Sequence, residues 1–92
     1  MKITVQYTAQ LAMEAGCSTE KLELEEGATV EAIIRNRAEK HGGKFASMLL
    51  GADGAPVATI MQIVNGEQVD RNANVVLNNG DELMLMSPIA GG

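Results

Sequence analysis

Residues 29–43 read TVEAIIRNRAEKHGG, and this stretch predicts the helix around which the rest of the fold is arranged. Thr29 is a favourable N-cap residue, and Glu31 lies in the first turn, where the helix dipole stabilises a carboxylate. Lys40-His41 places cations at the other end, and Gly42-Gly43 supplies a left-handed cap. The apolar positions recur at helical spacing and are Val30, Ile33, Ile34 and Ala38. One face of this helix is therefore expected to be buried.

Two strands are predicted before the helix. Ile3, Val5 and Tyr7 alternate with polar residues, which is the pattern of a half-buried strand. Leu22 and Leu24 alternate with charged residues in the same way. The polar, glycine-containing stretch between them, from residue 9 to residue 19, predicts a loop. The two strands are near enough in sequence to pair as a hairpin.

The chain after the helix predicts a short helical turn at residues 45–50, a loop from Gly51 to Pro56, and then three strands. Asn65-Gly66 is a strong signal for a tight turn, and Asn78–Asp81 is a second turn. The strands cover residues 59–64, a short segment around Val69, and residues 82–86. This order predicts an α+β protein in which one main helix packs across a mixed sheet of four to five strands.

Composition limits the classes of protein that fit. The 92 residues suffice for a single domain with one modest core, so residues 1–92 are expected to form one domain with a tail at about 87–92. The net charge is −5 and aromatic residues are 2%, whereas a nucleic-acid-binding protein needs a basic patch and stacking aromatics. The start of the chain alternates as a strand does, which does not match a signal peptide. No apolar run approaches a membrane span, so we expect no membrane partner and a cytoplasmic protein.

The last predicted strand is apolar on both faces. If Leu83 and Leu85 face the helix, Met84 and Met86 face the other way. This second apolar set is either covered by the loop after the helix or exposed as a flexible surface for binding a protein partner. We favour the partner-binding surface, because a partner that grips the C-terminal tail would also press here.

The tail itself carries the strongest functional signal from individual residues. Ser87-Pro88 closes the last strand, because proline cannot continue a central ladder. Ile89 and Ala90 then lead to Gly91-Gly92, a slim segment that can thread a narrow active-site channel in which any Cβ would be blocked. We therefore expect Pro88, Ile89 and Ala90 to contact the partner, and Gly91 and Gly92 to enter its active site.

Residues with reactive side chains have ordinary structural interpretations. Cys17, the single cysteine, excludes an internal disulfide and fits a small loop or partly buried thiol better than a nucleophile. His41 fits the end of a helix, and Asp81-Glu82 fits a turn that precedes a strand. We expect neither a bound cofactor nor a metal, and no enzymatic activity of the chain by itself.

Several segments together resemble the MoaD/ThiS family of ubiquitin-like sulfur carriers. The stretch Leu77–Leu83, with its Gly80-Asp81-Glu82, and the ending Ser87–Gly92 are similar to the C-terminal pattern of that family. Val64–Glu67 resembles the family's valine-asparagine turn, and Glu26–Val30 resembles its helix entry. The resemblance covers nearly the whole chain and implies the β-grasp fold.

The resemblance also implies a chemistry performed on the chain. A ubiquitin-activating-type adenylyltransferase would use ATP to adenylate the Gly92 carboxylate, and a sulfur nucleophile would convert it to a thiocarboxylate. In the molybdopterin synthase small subunit, that sulfur goes to a pterin precursor held by the synthase large subunit. Molybdopterin (molybdenum cofactor) biosynthesis is therefore the expected pathway.

Departures from the family pattern leave other pathways open. Thr8 and Ala12-Met13 stand where an aromatic residue and an arginine are usual, and Ser87 replaces one of two prolines. The Gly51–Pro56 stretch is longer than in short molybdopterin-type carriers and is similar to relatives that deliver sulfur to other products. The alternatives are a carrier for thiamine thiazole or cysteine synthesis, a ubiquitin-like protein modifier, and a plain β-grasp interaction module.

Overall fold

Five strands and three helices make up residues 1–87, the part of the chain that the computed structural model describes. Their bounds, in chain order, are β1 Lys2–Tyr7, α1 Ala9–Ala15, β2 Thr19–Glu23, α2 Val30–His41, α3 Gly43–Leu49, β3 Met61–Val64, β4 Glu67–Val69 and β5 Glu82–Met86. The predicted main helix, the short helix after it and all five predicted strands are confirmed. The final residues, 88–92, lie outside the described part.

The strands form one mixed sheet in the order β2-β1-β5-β3-β4. The first and last strands, β1 and β5, are parallel neighbours at its centre, with Val5 beside Leu83 and Tyr7 beside Leu85. The other pairs are antiparallel, including the predicted β1–β2 hairpin. The prediction of an α+β protein with a mixed sheet of four to five strands is therefore confirmed, and the sheet has five strands.

Strand alternation places the core on one face of this sheet. Val5, Leu83 and Leu85 are fully buried, and every helix adds side chains to the same cluster. The helix contributions are Leu11 from α1, Val30, Ile33, Ile34 and Ala38 from α2, and Phe45 and Leu49 from α3. The cap of α2 is as predicted, since the Thr29 Oγ1 accepts a hydrogen bond from the Ala32 N–H at 3.2 Å. The face of α2 predicted to be buried is the one that packs on the sheet.

The prediction of a loop at residues 9–19 is wrong. Most of this stretch forms α1, which ends at Gly16 in the left-handed conformation (φ 79°). Its residues are good helix formers, and the burial of Leu11 gives the short helix the tertiary packing that it needs. The second strand also begins earlier than predicted, at Thr19, because its partner β1 extends to Tyr7.

The family-like turn motifs are tied together by side-chain hydrogen bonds. Asn65 and Gly66 both have positive φ, at 50° and 85°, as the predicted tight turn requires. The Asn65 Nδ2 donates to the Asp81 carboxylate at 2.9 Å, and the Glu82 N–H donates to the Asn65 Oδ1 at 2.9 Å. The Asn78 N–H donates to the same carboxylate at 2.8 Å, and these bonds hold the pKa of Asp81 below its usual range. The predicted structural role of Asp81 in a turn is what the structure shows.

None of the helices between residues 1 and 87 has the length and apolar character that crossing a bilayer requires.

Candidate partner-binding face and tail

The last strand has one buried face and one partly open face. Leu83 and Leu85 are fully buried against the helices, whereas Met84 and Met86 are half-buried on the opposite side of the sheet. The alternation of side chains along a strand produces this division, as the sequence predicted. In the loop after the helices, Leu50 and Val57 pack against the core, so these side chains lie on the helix side of the sheet.

The neighbouring strand β3 enlarges the apolar area beside Met84 and Met86. Met61 lies opposite Met86, and Ile63 lies opposite Met84, while the intervening Gln62 is buried on the helix side. Met61 is 40% exposed. We call Met61, Ile63, Met84 and Met86 the methionine patch. The register that brings β3 beside β5 was not predicted from the sequence.

The rest of this open face is polar. From β1 it receives Lys2, Thr4 and Gln6, and the β2 positions opposite them are Glu23, Lys21 and Thr19. Gln6 lies beside Met84, so the boundary between the polar and apolar halves runs between β1 and β5. An apolar centre beside a polar rim is the usual anatomy of a protein-binding surface.

The tail begins directly at the edge of the methionine patch. Ser87 follows β5, and its hydroxyl donates a long hydrogen bond of 3.4 Å to the Thr8 carbonyl. The predicted tail residues Pro88, Ile89, Ala90, Gly91 and Gly92 lie outside the described residues, so their roles stay predictions. Gly92 is the sixth residue after Met86, and six residues of fully extended chain span at most about 20 Å. Any active site that holds the Gly92 carboxyl group therefore lies within that distance of Met86.

A cluster of polar side chains on the helix side was not predicted from the sequence. The Glu20 carboxylate accepts hydrogen bonds from the Tyr7 hydroxyl and from Arg37 at 3.2 Å, and it contacts the His41 Nε2 at 2.9 Å. Burial acts to raise the pKa of Glu20, but the bonds from Tyr7 and His41 and the charges of His41 and Arg37 together hold it below its usual value. Burial, followed by the bond to Glu20, raises the pKa of Tyr7 well above its usual range. These contacts join β1, β2 and α2 and are structural.

The two side chains considered as reactive groups lie in structural surroundings. Cys17 is half-buried, and burial raises the pKa of its thiol, which favours the unreactive protonated form. His41 ends α2 as predicted, and its ring packs against Tyr7 and Phe45 as well as contacting Glu20. Among residues 1–87, no group of three or more histidine, cysteine or acidic side chains is placed to hold a metal ion.

A mixed sheet covered on one face by helices, with its first and last strands parallel at the centre, is the β-grasp fold of ubiquitin-like proteins. The chain belongs to the ThiS family, whose model matches residues 5–92. The expected fold and the expected family are both confirmed. Among proteins with curated functions, none matches the chain significantly.

Solved structures with the same fold include one named as a modifier protein and one named as a converting-factor subunit. SAMP1 from Haloferax volcanii is 28% identical, with full coverage of both chains and a TM-score of 0.88. A Pyrococcus furiosus protein provisionally assigned as molybdopterin converting factor, subunit 1, is 29% identical over 97% of this chain and 99% of its own, with a TM-score of 0.76. Urm1 from Trypanosoma brucei is 20% identical, and the match covers 99% of this chain and 95% of Urm1 with a TM-score of 0.78; it shows the fold alone.

Proposed function

We propose that this protein is a sulfur carrier whose C-terminal carboxyl group, on Gly92, is activated and converted to a thiocarboxylate by a partner enzyme. The observation that carries the proposal is the family match, which continues through Gly91 and Gly92. The reactive group belongs to the chain itself, and the catalytic groups belong to its partners. No cofactor is needed on the carrier, and ATP is a substrate of the activating enzyme. We expect the reaction to take place in the cytoplasm.

The chemistry proceeds in two acyl-transfer steps. The Gly92 carboxylate attacks the α-phosphorus of ATP, pyrophosphate leaves, and an acyl-adenylate forms. Hydrosulfide then attacks the acyl carbon, and AMP leaves with its electron pair while a proton is released. The product is a C-terminal thiocarboxylate, a sulfur nucleophile that the carrier can deliver to an acceptor.

The methionine patch supports docking of the partners beside the tail. A ubiquitin-activating-type adenylyltransferase that holds Gly92 within about 20 Å of Met86 can contact Met84 and Met86 at the same time. The protein carries a net charge of −5, so a basic surface on the enzyme would complement it. Pro88, Ile89 and Ala90 would then line the entrance to the active site.

We propose molybdopterin biosynthesis as the pathway, with the large subunit of molybdopterin synthase as the acceptor enzyme. The support is the 29% identity to the Pyrococcus furiosus protein provisionally assigned as molybdopterin converting factor, subunit 1. The chain also covers nearly all of that protein, so the likeness is not confined to one segment.

Protein modification is the second candidate function. The 28% identity to SAMP1, over the full length of both chains, favours it, because a related structure is named as a small archaeal modifier protein. A modifier would use the same adenylation step, but a lysine amine would attack the activated Gly92 and form an isopeptide. The two functions differ in the product and not in the carrier's structure.

Mass spectrometry of the C-terminal peptide tests the proposal. The protein is incubated with the ubiquitin-activating-type enzyme of its own source, ATP and hydrosulfide, and an ATP-dependent exchange of oxygen for sulfur is expected at Gly92. Omission of ATP is the control. The change must be localised to the C-terminal residue, because sulfoxide formation on any of the six methionines adds nearly the same mass. An unchanged terminus with an active enzyme contradicts the carrier function, and lysine-linked adducts in cells would indicate the modifier.

A further inference from the structure

Three of the six methionines lie together on the open face of the sheet. Met61 and Met86 are cross-strand partners, and Met84 is next to them on the same face of β5. The other methionines differ in their surroundings, since Met1 and Met48 pack against the core. Met13 is 74% exposed on α1, which packs on the helix side of the sheet.

We propose that Met61, Met84 and Met86 form a site of reversible oxidation, and that oxidation there weakens binding of the carrier to its activating enzyme. Hydrogen peroxide transfers one oxygen atom to a methionine sulfur; the O–O bond breaks, the thioether loses two electrons, and the second oxygen leaves as water. Methionine sulfoxide reductases reverse the modification at the expense of a thiol reductant. The inference rests on the proposed function for the identity of the partner.

The effect follows from the change in polarity of the patch. A thioether is apolar and adapts to a partner surface, whereas a sulfoxide is a strong hydrogen-bond acceptor. An interface that was apolar would have to bury these oxygens without donors, and this is unfavourable. The three side chains lie on the face opposite the core, so the modification should leave the fold intact.

Accessibility predicts an order of reaction. Met13 and Met61 are the exposed methionines, so they should react with peroxide before the half-buried Met84 and Met86. Met48, which packs against the core, should react more slowly than Met61.

The experiment uses the full chain and oxidises only the carrier. Wild type, the triple variant Met61→Leu/Met84→Leu/Met86→Leu and the control Met13→Leu are treated with hydrogen peroxide, and the peroxide is removed with catalase. Peptide mapping locates the sulfoxides. The thiocarboxylation rate with the activating enzyme, ATP and hydrosulfide at low carrier concentration is then compared with each protein's own rate before oxidation.

Wild type and Met13→Leu are expected to lose about tenfold in rate, with recovery after treatment with methionine sulfoxide reductases A and B. The triple variant, which retains Met13 and Cys17, should keep its own unoxidised rate. Full rates in wild type with sulfoxides mapped to the patch would overturn the inference. An equal loss in the triple variant would also overturn it, because the sensitive residue would lie elsewhere. If the activating enzyme fails to act even on unoxidised wild type, the proposed function is wrong and this inference falls with it.

Discussion

Asn65 joins two turns that are far apart in the sequence. Its side chain contacts both the Asp81 carboxylate and the Glu82 N–H, and its own N–H donates to the Glu82 carbonyl at 2.9 Å. It also adopts a positive φ of 50°, which asparagine tolerates better than most residues. The residues that resemble the family motif therefore hold β3 and β5 in register, and the open face depends on that register.

We expect Asn65→Ala to lower the free energy of unfolding by about 2 kcal/mol, because two side-chain hydrogen bonds are lost and alanine is strained at this φ. Chemical denaturation measures the change. Asn72→Ala is the matched control, since Asn72 is exposed and its side chain makes no hydrogen bond among residues 1–87, and it should stay within about 0.5 kcal/mol of wild type. Equal stability of the two variants would contradict the role assigned to Asn65.

For Gly92, the proposed site of activation, the prediction concerns rate and not stability. Gly92→Ala adds one methyl group, which should obstruct a narrow channel in the activating enzyme and lower the rate of adenylation at least about tenfold. ATP–pyrophosphate exchange measures the rate, and thermal unfolding should be unchanged because every buried core side chain among residues 1–87 is retained. Equal exchange rates for the two proteins would contradict the channel argument.

At the scale of elements, the alternation of side chains along β5 gives one face to the core and the other to the proposed partner-binding surface. The sequence predicted the two faces of this strand, because a period of two is visible in residues 82–86. The same reasoning found α2 from its cap and its apolar spacing. The same reasoning failed for α1. Only Leu11 is buried among its seven residues, and a single buried position cannot produce a periodic pattern. A glycine at residue 16 after a run of helix formers was the available clue.

Met84→Asp or Met86→Asp should weaken binding to the activating enzyme by about tenfold or more while sparing the fold, because both side chains lie on the open face. Isothermal titration calorimetry measures the affinity, and circular dichroism measures the fold. Leu85→Asp provides the contrast, since it would bury a charge in the core and should unfold the protein. Unfolding of either methionine variant would show that the two faces have been assigned in the wrong order.

At the scale of the whole molecule, the polar cluster around Glu20 shows why part of the structure could not be predicted from the sequence. Tyr7, Glu20, Arg37 and His41 come from three elements, and each residue alone has an ordinary interpretation. Only the pairing of β1 with β2 and the packing of α2 bring them together. The methionine patch has the same origin, because Met61 and Met86 meet through strand order. Local patterns predicted every element except α1, whereas these clusters depend on how the elements are placed relative to one another.

The cluster predicts a pH dependence of stability. The pKa of Glu20 is lower in the folded state than in the unfolded state, so its ionised carboxylate stabilises the fold above the unfolded pKa of about 4.3. This stabilisation is lost as the pH falls through the pKa of the folded state. Glu20→Gln should lower the free energy of unfolding by about 1–3 kcal/mol at pH 7 and by less at pH 3. Denaturation at both values measures this. Asp81 keeps some acid sensitivity in the variant, because its pKa is also lowered. A loss that is equal at both pH values would contradict the assignment.

The central position of β5 has a mechanical consequence. Its neighbours are β1 on one side and β3 on the other, and the chain leaves it at Ser87 toward the tail. A partner that pulls on the tail applies force along the axis of this strand. The ladder hydrogen bonds to both neighbours run across that axis, so they are loaded in shear and share the force, where an edge strand would peel away one bond at a time. The tail that we propose as the sulfur-carrying segment is thus anchored to a strand that is hydrogen-bonded on both sides.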